Sequence, residues 1–144
     1  MGLRVGLFFL AFEVIVFGLI ALIILANGGA GGLSGKPFDP SNSLLGFNGI
    51  IYGLVFSIFA FVGFESATTL GEEARDARQT IPRAVLLTTL VIGLFYTLLI
   101  YSGVIGFGLT PKGLAQMQSD STPFQTLSHR FSGPPLPTLS VIAS

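Results

Sequence analysis

The stretch FVGFESATTLGEEARDARQTIPRA, Phe61 to Ala84, sets a glycine and a glutamate inside an apolar run and then leads straight into a charged segment that ends on a proline. A single glycine in a long apolar helix often means only close packing. Here Phe59, Phe61 and Phe64 flank Gly63, and Glu65 follows. A carboxylate deep in lipid is costly and normally faces protein or a water-filled cavity. Two readings follow. In the first, the helix unwinds at Gly63, and freed backbone carbonyls around Phe59 to Val62 line a cavity and accept from an ammonium. In the second, the helix is continuous and Glu65 bonds a neighbour near its end. Downstream, Thr80 is expected to cap a helix, with Pro82 in the first turn, where its missing N–H costs nothing. Glu72 and Arg75 stand three apart and can pair on a helix, a pairing worth little on an exposed surface.

Working outward, three apolar runs are each long enough to cross a bilayer: 5–26, 47–70 and 84–108. In lipid each backbone polar group must be satisfied internally, so the runs are expected to be helices. A cleaved signal peptide is the alternative for the first, but its apolar core is too long. Segment 27–46 is rich in Gly, Ser and Pro and reads as an exposed loop. Segment 109–138 is a second long loop, within which Phe124, Leu127 and Phe131 fall at helical spacing and predict a short amphipathic helix, lying on the membrane surface or on the protein. Arg4, Arg75, Arg78 and Arg83 lie on one side of the runs, and Lys36, Lys112 and Arg130 on the other. The crowding of arginines in 71–83 marks that loop as cytoplasmic and the other two as external.

Composition agrees with lipid as the solvent. The 144 residues are 51% apolar and only 10% charged, with mean hydropathy +0.80. Soluble domains carry about 25% charged residues. Zero net charge argues against a nucleic-acid partner. The absence of cysteine excludes disulfides, thiolate nucleophiles and Cys-ligated metal. No catalytic triad, metal cluster or phosphate loop is recognisable, so neither an enzyme nor a cofactor is expected. His129 needs no function beyond that of a loop residue. Glu13, deep in the first run, is expected to pair with another helix in a packing role or to take part in transport. Tyr96 and Tyr101 are expected as inter-helix hydrogen-bond partners or as lining of a path.

FAFVGFESATTLGEEARDARQTIPRAV resembles the signature of the amino acid permeases of the amino acid–polyamine–organocation superfamily, F-x-G-F-E followed by L-x-E-E-x-x-x-P-x-x-x-I-P-R-A. Phe61, Gly63, Phe64, Glu65, Leu70, Glu72, Glu73, Ile81, Pro82, Arg83 and Ala84 match. Ala77 departs, standing where the family usually has proline. The resemblance covers the whole chain as helices five to seven with the approach to eight. It implies an all-α integral membrane fold: three transmembrane helices forming part of a twelve-helix inverted-repeat transporter, multi-pass in the cell membrane.

Carried over by position, the resemblance implies that carbonyls of Phe59, Ala60 and Val62 accept from a substrate amino group and that Gly63 permits the break. It also implies that Phe59 gates the bound substrate and that Glu65 is a structural or proton-linked carboxylate. The expected partners are an amino acid, the lipid bilayer and the remaining helices of the transporter. The leading expectation is secondary transport by alternating access, proton-coupled or by exchange, with this chain as a partial copy. The alternatives are a non-transporting three-span membrane protein, decayed or accessory, and a receptor that keeps the site without the path.

Overall fold

The computed structural model describes residues 2–43, 45–60, 77–133 and 136–143. Among these the chain is helical: α1 (Gly2–Ala26), α2 (Gly46–Ala60), α3 (Ala77–Phe107), α4 (Pro111–Ser119), α5 (Pro123–Phe131) and α6 (Leu136–Ala143), with 3-10 turns at Lys36–Phe38 and Pro40–Asn42. Two helical stretches, Arg4–Ala26 and Ile81–Phe107, are long and apolar enough to cross a membrane. The second apolar run is helical from Gly46 to Ala60, and its remainder lies outside the described residues.

The start of α3 corrects one expectation. The helix already includes Ala77, so Thr80 is not its cap and Pro82 sits inside it. Ala, Arg and Gln are all strong helix formers, and the run Ala77-Arg78-Gln79 carries the helix back past the proline. Pro82 gives up the bond its own N–H would have made to the carbonyl four residues earlier. The proposed Glu72–Arg75 pair lies outside the described residues.

The contacts divide the chain into two units, Met1–Pro37 with Phe95–Ser144, and Phe38–Leu94. In the first, α1, α5 and α6 pack against one another. Its core is Val16, Ile20 and Ile24 of α1, Phe107 of α3 and Leu127 of α5. Phe12, Phe17, Met117, Phe124, Phe131 and Leu139 close around it. Residues 16, 20 and 24 are one turn apart and so share one stripe of α1. In the second unit α2 contacts the 3-10 turn at Pro40–Asn42, whose first N–H groups are satisfied by Asp39 accepting from Ser41 N at 3.0 Å.

Candidate functional site

The residues singled out from the sequence fall at and beyond the end of α2. Phe59 is helical and 68% exposed, and Ala60 is the last residue of the helix. Val62, Gly63 and Glu65 lie outside the described residues, as does the rest of the permease-like signature up to Asp76. What the structure shows of α2 is a helix with apolar side chains exposed all round. Phe47, Phe56 and Phe59 are each at least two-thirds exposed within this chain. Ser57 disposes of its hydroxyl by donating to the Gly53 carbonyl at 2.8 Å.

At the C-terminal ends of α1 and α3 the chain builds a cap instead. The sequence NGGAGG after α1 turns back on itself through left-handed backbone at Gly28, Gly29 and Gly32, with φ of 74°, 63° and 87°. Ala30 N then donates to the Ile105 carbonyl at 3.0 Å, and the Tyr101 hydroxyl donates to the Ser34 carbonyl at 2.9 Å. Tyr101 thus ties a loop to a helix, where a bond between two helices or a place along a path was expected. Gly29 lies so close to Ile105 that any side chain there would meet both the Ile105 side chain and its backbone.

The amphipathic helix predicted from Phe124, Leu127 and Phe131 is α5, and it lies on protein. Leu127 is fully buried, and Phe124 meets Phe17 of α1 edge to face at 5.6 Å. Arg130 sits over the Phe107 ring at 5.8 Å. Ser128 and Ser140 face each other at 3.3 Å between α5 and α6, and each also donates to a carbonyl of its own helix. His129 is exposed.

Helix α4 was not anticipated. Its signal is a Thr-Pro pair: Thr110 caps the helix by accepting from Gly113 N at 3.1 Å, and Pro111 is the first helical residue. The same pair, Thr122-Pro123, opens α5. There Thr122 makes no side-chain cap, and Asp120 braces the start of the helix instead, accepting from Thr126 Oγ1 at 2.6 Å and from Thr122 N at 2.8 Å. The bond from the Thr126 hydroxyl, then that from the Thr122 N–H, holds the Asp120 carboxyl below the ordinary carboxylate range. Among the described residues no group of three or more metal-ligating side chains converges.

Comparison with known proteins gives one consistent answer. Residues 5–141 match the family described as amino acid permease. The low-affinity putrescine importer PlaP of Escherichia coli is 32% identical over 88 residues, which is 60% of this chain and 19% of that protein. The branched-chain amino acid permease BcaP of Bacillus subtilis is 30% identical over 74 residues, 50% of this chain and 15% of that protein. An uncharacterized transporter of Mycobacterium tuberculosis is 29% identical over 106 residues, 71% of this chain and 22% of that protein. The chain thus spans about a fifth of the length of the curated relatives it matches. No solved structure matches it.

Proposed function

The chain belongs to the amino acid permease family, and from that premise we propose that it forms the middle of a secondary transporter that carries amino acids or polyamines across the cell membrane. The observation that carries this reading is the family match over residues 5–141, which takes in the FVGFE signature. The membrane is the environment that suits two helices of spanning length whose apolar side chains are largely exposed. The protein is multi-pass, with 71–83 cytoplasmic and the segments 27–46 and 109–138 external.

The names of two relatives, a putrescine importer and a branched-chain amino acid permease, have one chemical feature in common: each cargo carries an ammonium group. An unwound helix suits that cargo, because unpaired carbonyls accept from an ammonium without a buried counter-charge. We assign that role to the carbonyls of Phe59, Ala60 and Val62, the break to Gly63, the gate to Phe59 and a proton-linked or structural carboxylate to Glu65. Transport proceeds by alternating access, coupled to protons or to exchange.

The test is uptake of labelled putrescine and a panel of amino acids by cells making the protein from its complete reading frame, beside the Gly63→Leu variant. Uptake that Gly63→Leu abolishes while the protein stays in the membrane is the expected result. Unchanged uptake would mean a continuous helix at Gly63, and no uptake of any cargo would favour an accessory membrane protein.

A further inference from the structure

Glu13 is the one acidic residue in the Arg4–Ala26 span. It lies nine residues from Arg4, or about 14 Å along the helix axis, and so near the middle of a hydrocarbon core about 30 Å thick. It is exposed, and among the described residues none bonds its carboxylate. A charge left facing lipid at that depth is strongly disfavoured, so its position on the helix decides what it must meet.

That position is not arbitrary. Counting back from the core, Ile24, Ile20, Val16, Glu13, Phe9 and Gly6 follow one another at intervals of three or four and share one stripe of α1. The C-terminal half of the stripe, Val16 to Ile24, is buried, in a core with Leu127 of α5 and Leu139 of α6 against it. The N-terminal half is bare: Phe9 is 57% exposed, and a side chain at Gly6 would meet nothing within 4 Å. The opposite side of the helix beyond Arg4 is exposed and apolar at Phe8, Ile15 and Leu22. One stripe therefore begins as an established interface and continues into a small residue, an aromatic and a carboxylate. The other has the character of a lipid-facing surface. A small residue lets a neighbouring backbone approach closely, and a polar group then bonds across the gap.

We propose that Gly6, Phe9 and Glu13 prolong the buried α1 stripe as the docking surface for a further helix of the whole transporter, one that brings a hydrogen-bond donor to the depth of Glu13. This rests on the reading of the chain as part of a longer transporter, whose relatives are about five times the matched length. Continuity with the packed half favours a helix as the occupant, and the carboxylate requires that this helix carry a donor.

This segment has no cysteine, so once any cysteine elsewhere in the complete reading frame is replaced, single-cysteine variants carry a spin label at one site only. In membranes holding the protein made from its complete reading frame, a label at Phe9→Cys should meet lipid-dissolved oxygen several-fold less than labels at Phe8→Cys or Ile15→Cys. Equal accessibility at the three sites overturns the proposal. So does an efficient disulfide-linked dimer through Phe9→Cys, which would make the occupant a second copy. Glu13→Leu should lower the amount of folded protein in the membrane, and Glu13→Gln, which keeps an acceptor, should restore it. If Glu13→Leu leaves that amount unchanged or raises it, the carboxylate faces lipid and the proposal fails. None of these readouts needs uptake, so they fail or succeed independently of the transport reading.

Discussion

The cap end of the first unit and helix α2 are built from similar residues and behave in opposite ways. Around the end of α1, apolar side chains are driven to full burial: Ile20, Ile24, Ile105 and Leu127 are at most 1% exposed. On α2, Phe47, Tyr52, Phe56 and Phe59 are all more than 60% exposed. Apolar content does not separate them. The difference lies in what interrupts the apolar residues. The cap is punctuated by glycines, Thr-Pro pairs and short polar turns that fold the chain back, so one helix covers another. Helix α2 is a single apolar rod with one short turn against it. A rod of that kind acquires its partners from lipid or from other parts of a larger protein, and that is also the region that carries the substrate reading.

The largest expected effect comes from the glycine that closes the cap. Gly29→Ala sets a Cβ on a residue at φ of 63° and drives it into Ile105. The left-handed backbone costs about 1–2 kcal/mol and the overlap a similar amount or more. Thermal unfolding of the protein in lipid nanodiscs should show a clear fall in midpoint. A stability equal to the parent would mean that the loop does not close on α3 as described. Next is Leu127→Ala, which empties the centre of the α1–α5 contact and should cost about 2–5 kcal/mol by the same readout. A loss as small as that of a surface change would place Leu127 outside the core.

Acid sharpens the comparison more gently. Asp120 is held below its ordinary range in the folded state, so its contribution is present at neutral pH. It is lost as pH falls through that lowered value. Hydrogen exchange at the start of α5 should therefore rise in strongly acidic solution. In Asp120→Asn that extra rise should be absent, while exchange in α2 responds to neither change. Identical acid responses in the parent and the variant would remove Asp120 from the cap. The smallest effect is expected on the other side of the comparison. Phe56→Ala, 74% exposed, should shift unfolding of the first unit by less than about 0.5 kcal/mol. A large shift would show that α2 is packed against something the described contacts do not include.

Much of this was legible in advance, and the exceptions have causes. The helical nature of the first and third apolar runs follows from length and from the need to satisfy backbone groups in lipid. The spacing of Phe124, Leu127 and Phe131 was enough to identify α5. Helix α4 escaped because its sequence, PKGLAQMQS, has too few apolar residues to show a period, and its only marker is the Thr-Pro pair that precedes it. The start of α3 was misplaced because a proline is a strong local stop signal. The strong helix formers before it, Ala77, Arg78 and Gln79, let the helix run through the proline instead.

The sequence by itself determined the family and the long apolar helices suited to lipid, because these depend on run length, composition and a motif written in consecutive residues. Tertiary structure alone decided which apolar faces are covered. It put Val16, Ile20 and Ile24 under α5 and α6 and left Glu13, on the same stripe one turn earlier, without a partner among the described residues. It also chose glycine at position 29, where the Ile105 backbone leaves no room for a Cβ. Burial and close approach depend on residues far apart in the chain meeting in space, and no local pattern records that.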